Sequence, residues 1–150
     1  MTKKGILQII EQEDVEFIRL QFTDMFGNLK NVAVTARQLE RVLENKHVFE
    51  CSALFDGLLP CEEDMYLYPD TETFVFLPWR PQRGKVARLL CDVYKKDGTP
   101  CELNPRTILK RVLSEAKKKG YEFYVDPECE FFLFHTDDNG IPTTLSHEKA

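Results

Sequence analysis

The stretch Ile18-Arg19-Leu20-Gln21-Phe22-Thr23-Asp24-Met25-Phe26-Gly27-Asn28-Leu29-Lys30-Asn31-Val32-Ala33-Val34-Thr35 decides the reading of the fold. Ile18, Leu20 and Phe22 alternate with Arg19, Gln21 and Thr23, the period-two pattern of a strand with one buried face. Phe26-Gly27-Asn28 supplies a turn, and Val32 and Val34 resume the alternation, so the stretch reads as a β-hairpin. Upstream, Ile6, Ile9 and Ile10 stand at helical spacing and predict a short amphipathic helix over 3–12. Downstream, Thr35 followed by Gln38 is a capping-box pattern, and Leu39, Val42 and Leu43 make a helical stripe that ends near Asn45. The opening order is helix, strand, strand, helix.

From Val48 to Leu59 the chain is apolar and irregular, with Asp56-Gly57 inside it. Met65 to Tyr68 reads as a strand stopped by Pro69, and Phe74 to Leu77 as another stopped by Pro78. Val86 to Tyr94 is a longer strand closed by an Asp97-Gly98 turn. Asn104 caps a helix with Pro105 at its first position, where a missing N–H costs nothing. Ile108, Leu109, Val112, Leu113 and Ala116 form its apolar side. Lys117, Lys118 and Lys119 suit the negative end of its dipole, and Gly120 stops it. Glu122 to Phe134 reads as a strand, and the polar residues 137–150 as a mobile tail. The fold class is α+β: strands packed on helix over residues 1–103, then a helix and a strand over 104–150 that lack partners to bury both faces.

The chain has 150 residues, 43% of them hydrophobic, so it can build a core. Its 25 acidic and 20 basic residues are interspersed and leave a formal net charge of −5, which excludes the basic face of a nucleic-acid binder and a polybasic membrane patch. The five cysteines at 51, 61, 91, 101 and 129 form no CxxC, and three histidines accompany them. They read as reduced thiols serving as small hydrophobes, rather than as a disulfide framework or a zinc site. No apolar run is long enough for a signal peptide or a membrane span, so the expected compartment is the cytoplasm.

Glu128 and Glu130 are the main candidates for chemistry. On a strand, residues i and i+2 share a face, about 7 Å apart. The strand continues as Phe131-Phe132-Leu133-Phe134, where unpaired carboxylates cost several kcal/mol. A hard divalent cation such as Mg²⁺ or Mn²⁺, a basic partner, or a strand end open to water would each offset that cost. Asp56, in Leu54-Phe55-Asp56-Gly57-Leu58, is the second candidate, although an Asp before Gly is ordinarily turn chemistry, the reading that the residues alone favour. His47, His135 and His147 are scattered, Trp79 reads as a packed aromatic, and no phosphate-binding glycine loop is present.

Several stretches, in one order from about Gly5 to Phe134, resemble bacterial type I glutamine synthetase. Phe55-Asp56-Gly57 matches the start of its FDGSS loop. Asp64-Met65-Tyr66-Leu67-Tyr68-Pro69-Asp70 matches its DMYLYPD segment, and Thr73 to Trp79 the strand after it. Cys91-Asp92, Asp97-Gly98-Thr99-Pro100 and Asn104-Pro105-Arg106 resemble its CD…DGTP…DPR passage. Pro127-Glu128-Cys129-Glu130-Phe131-Phe132-Leu133-Phe134 resembles its PEPEFFLF strand.

The resemblance implies a β-grasp N-terminal domain over 1–103 and the first helix and strand of the catalytic domain over 104–150. It implies a ligase that joins ammonia to glutamate at the expense of ATP through γ-glutamyl phosphate. By the same match Glu128 and Glu130 hold Mg²⁺ or Mn²⁺, and Asp56 binds ammonium and draws a proton from it. The assembly it implies is a homo-oligomer of two hexameric rings, with the β-grasp domain of one subunit completing the site of its neighbour. The sequence departs from the family at Leu58 and Leu59, which replace two serines, and at Asp126 and Cys129, which replace a Gly and a Pro. The family's other metal ligands, its ATP site and its glutamate-binding arginine are expected beyond Ala150, so the segment alone is expected to be inactive. Two other readings remain: a ligase on this scaffold for another amine, and a non-catalytic β-grasp module for association or regulation.

Overall fold

A computed structural model describes residues 1–55, 63–79 and 84–143. Helix α1 (Lys3–Gln12) starts at Thr2, whose side chain accepts from the Gly5 N–H. Strands β1 (Val15–Thr23) and β2 (Leu29–Thr35) pair antiparallel as the hairpin, with Leu20 opposite Val32. The Thr35–Gln38 capping box forms and starts a 3-10 turn that runs into helix α2 (Leu39–Leu43). Asn45, at φ 63°, ends it. Strands β3 (His47–Glu50), β4 (Asp64–Phe76) and β5 (Lys85–Tyr94) complete a sheet ordered β2-β1-β5-β4-β3. Only the β1–β5 pair in it is parallel, so an early strand and a late one lie side by side at its centre.

The core lies on one face of this sheet. Ile18, Leu20 and Phe22 of β1, Leu67 of β4 and Leu89, Cys91 and Val93 of β5 meet Ile6 and Ile10 of α1 and Leu39, Val42 and Leu43 of α2. The alternation read in the first strand is thus the alternation of burial, with Arg19, Gln21 and Thr23 turned away from the core.

Three strand assignments change. The Val48 region is not wholly irregular, because His47–Glu50 forms β3 against β4. The stretches around Met65–Tyr68 and Phe74–Leu77 are one strand, not two. Pro69 sits inside it opposite Cys91, and β3 pairs with β4 no further than Leu67, so this part of β4 is an edge that tolerates proline. A break in register between Asp70 and Val75 is bridged by Thr73, whose hydroxyl accepts from the Leu90 N–H at 2.8 Å and donates to the Asp70 carbonyl at 2.7 Å.

Helix α3 (Pro105–Lys118) forms as read, capped by Asn104, with Lys117 and Lys118 in its last turn and Gly120 at φ 84° beyond it. The expected strand over Glu122–Phe134 does not form: residues 121–134 belong to no helix or strand and are exposed. A strand needs hydrogen-bonding neighbours, and among the described residues no strand pairs with this segment. The expected mobile tail is also partly ordered, because β6 (His135–Thr136) pairs antiparallel with β7 (Pro142–Thr143). Trp79, read as packed, is 71% exposed. Cys91, Cys101 and Cys129 are free thiols, as read, but Cys51 is disulfide-bonded. An odd cysteine count argues against a full framework and leaves room for a single bridge. Among the described residues, no helix is long and apolar enough to cross a membrane.

Candidate functional site

Asp56 lies outside the described residues. Cys51–Leu54 forms a 3-10 turn, Leu54 is fully buried and Phe55 nearly so. Apolar packing holds Leu54 and Phe55 in the core.

Glu128 and Glu130 stand in the exposed segment 121–134. Neither forms a hydrogen bond or ion pair with the described residues, so the basic-partner reading finds no support there. The aromatic and aliphatic residues beside them are exposed too, with Phe132 at 88% and Leu133 at 89%. The apolar surroundings expected to penalise two bare carboxylates are therefore open to solvent in this structure. In kind the donors fit a hard divalent cation, since both offer carboxylate oxygen. In number they fill part of a shell, and no group of three or more His, Cys, Asp or Glu gathers among the described residues.

The sequence did not flag the polar cluster that the fold does assemble. Asp92 alternates with buried Cys91 and Val93, so it projects from the face opposite the core. Arg106, in the first turn of α3, donates from Nε to Asp92 Oδ1 at 2.9 Å and from Nη2 to Asp70 Oδ2. Lys110, one turn on, reaches Asp92 Oδ2 at 2.5 Å. Two carboxylates on adjacent strands thus hold two cations of one helix. A cleft of about 240 Å³ lies beside the cluster, lined by Gln21, Thr23, Leu90, Pro105, Arg106 and Leu109 among others. The signal was present in the sequence as Asp70, Asp92 and Arg106, but spacing alone does not show that they converge.

Asn104 is likewise more than a cap. It is fully buried. Its Oδ1 accepts from the Thr107 N–H at 3.2 Å while its Nδ2 donates to the Thr23 carbonyl at 3.3 Å. Asp24, next to Thr23, is also fully buried. Its carboxylate accepts from the N–H groups of Phe26 (2.9 Å) and Asn28 (2.8 Å) and from Asn28 Nδ2 (3.0 Å), with Lys30 Nζ at 3.4 Å. Burial alone would push this carboxyl up, but the hydrogen bonds from Asn28 and Phe26, with the Lys30 ammonium, hold it below the usual value.

Comparison with known proteins places these features in a family. Residues 14–96 match the family described as glutamine synthetase, beta-Grasp domain, and residues 102–149 match glutamine synthetase, catalytic domain. The glutamine synthetase of Clostridium saccharobutylicum is 56% identical over 150 residues, covering 99% of this chain and 34% of that protein. That of Staphylococcus aureus is 52% identical over 144 residues, covering 95% of this chain and 32% of the relative. The chain thus spans about a third of the length of these curated relatives. Among solved structures, apo GmaS without ligand superposes with a TM-score of 0.67 at 32% identity, over 76% of this chain and 26% of that one. Plasmodium falciparum glutamine synthetase gives 0.67 at 21% identity, over 80% of this chain and 23% of that one, a likeness of fold.

Proposed function

The chain belongs to the glutamine synthetase family, and from that membership we propose that the full-length protein carrying it joins ammonia to glutamate at the expense of ATP, through γ-glutamyl phosphate. The observation that carries this reading is the ordered match of both family domains along one chain, at 52–56% identity to glutamine synthetases. The division we propose runs at 103/104, where the buried Asn104 opens α3. Residues 1–103 are then the β-grasp domain and 104–150 the beginning of the catalytic domain.

In this reading Asp56 binds ammonium and accepts a proton from it, so that neutral ammonia can attack. Glu128 and Glu130 hold Mg²⁺ or Mn²⁺, and a bound dication supplies neutralisation of phosphate charge. Their place within the matched catalytic-domain segment supports this role. We assign no ATP contact to residues of this chain. The protein works as a homo-oligomer in the cytoplasm, with the family's two hexameric rings as the expected form.

The test is ATP-dependent formation of glutamine from glutamate and ammonium by the full-length protein. Product that requires ammonium, ATP and a divalent cation together supports the reading. Turnover only with a different amine, or none with any, would overturn it.

A further inference from the structure

We propose that α3 is folded only while it is docked, so that the sheet is a template on which the first element of the matched segment 102–149 becomes helical. A helix of 14 residues is marginal in water by itself, and most helices in proteins are held by an apolar face packed on a core. Among the described residues α3 lacks that support. None of its residues is buried, and Leu109, at 57% exposure, Val112 and Leu113 face solvent. The Asn104 cap, Pro105 and the Glu115–Lys118 pair bias the chain toward helix without holding it there.

What does hold it is a polar mount that spans three neighbouring strands, β1, β5 and β4. Asn104 Nδ2 donates to the Thr23 carbonyl of β1. Arg106 donates from Nε to Asp92 of β5 and from Nη2 to Asp70 of β4. Lys110 sets a second cation on Asp92. Arg106, Asp92 and Asp70 are each partly sheltered from solvent, which strengthens charged hydrogen bonds over those in open water. Asn104 joins mount and helix in one side chain. The amide whose nitrogen grips Thr23 also offers Oδ1 to the Thr107 N–H in the first turn. When α3 leaves the sheet, Asn104 must leave its fully buried place, and the cap loses the bond that fixes its direction. Docking and helix formation are thereby coupled, and α3 orders or melts as one unit.

The inference concerns α3 and the sheet alone, so it stands or falls apart from the glutamine synthetase reading. The experiment uses two variants of the 150-residue chain for which local rules and docking predict opposite results. Alanine is a better helix former than arginine, so for Arg106→Ala propensity alone predicts as much helix or more. Asn104→Asp keeps an acceptor of equal capping strength and removes the donor to Thr23. Backbone carbon shifts, read by NMR, give the helical population over 108–116, and amide exchange at Leu89 reports the sheet. That population is expected to fall about twofold or more in Arg106→Ala and by a smaller factor in Asn104→Asp, with Leu89 unchanged. Arg111→Ala, further along α3 at a side chain with no ion pair to a described residue, should not lower it. An unchanged population in Arg106→Ala overturns the proposal, as does an equal fall in Arg111→Ala. An unchanged population in Asn104→Asp overturns the coupling through Asn104. If Asn104→Asp exposes Leu89 and so unfolds the sheet, Arg106→Ala, whose side chain lies outside the core, decides.

Discussion

At the scale of single residues, charge placement decides most of what can be measured. Asp24 has its carboxyl held low in the folded state, so its contribution is present above the unfolded carboxylate value of about 3.9 and is lost as pH falls through the folded value. Acid unfolding of Asp24→Asn should therefore be flatter with pH below about 4 than that of the wild type, followed by circular dichroism. His47 works with the same sign for a different reason. Desolvation, with the nearby Arg41 guanidinium, pushes its imidazole below the usual value, so the folded state resists its protonation. Stability should fall as pH drops from about 6.5, and His47→Gln should remove that slope from thermal melts. Glu130 belongs to this scale too. In the full-length protein Glu130→Ala should weaken Mn²⁺ or Mg²⁺ binding at least tenfold, read by calorimetry, and abolish ligation. Undiminished activity would remove the metal assignment.

At the scale of elements, helix α3 is the informative piece. It is capped, charged and amphipathic, as its sequence demands, yet none of its own residues is buried. What secures it is polar: Asn104 to Thr23, Arg106 to Asp92 and Asp70, Lys110 to Asp92. Arg106→Ala should loosen the helix from the sheet at a cost on the order of 2 kcal/mol, seen as faster amide exchange across 105–112 while the sheet stays protected. This element also marks the limit of what the residues alone could tell. The helix was legible because capping, N1 proline and the glycine stop are local rules. The strand expected at Glu122–Phe134 has equally good local composition, but a strand is a relation between segments, and Phe131 to Phe134 find no partner among the described residues. The same reason merged two expected strands into β4, since only the ladder to β5 shows that Pro69 interrupts nothing. Of the candidate site, the sequence could nominate Glu128 and Glu130 but could not show their surroundings. The Arg106 cluster was invisible because its members are brought together by sheet order.

At the scale of the whole molecule, the chain divides by burial. The buried apolar residues described from Ile6 to Cys101 share one core, while Leu109, Val112, Phe131 and Leu133 present apolar surface to solvent. Brief chymotrypsin treatment of this chain should cut first between Tyr121 and Phe134 and leave an N-terminal piece intact, detectable by mass spectrometry. Early cleavage within β1 or β5 would contradict that division. The sheet order carries a last implication for biosynthesis. The central parallel pair joins Val15 to Lys85, roughly 70 residues apart. At about 5–20 residues per second of translation, the start of β1 must wait roughly 4–14 s for the strand that will flank it. Throughout that interval the edge of β1 that β5 will pair is left without its ladder on a nascent polypeptide. Until Tyr94 emerges, that open edge is a place where another ribosome-borne chain could add a strand.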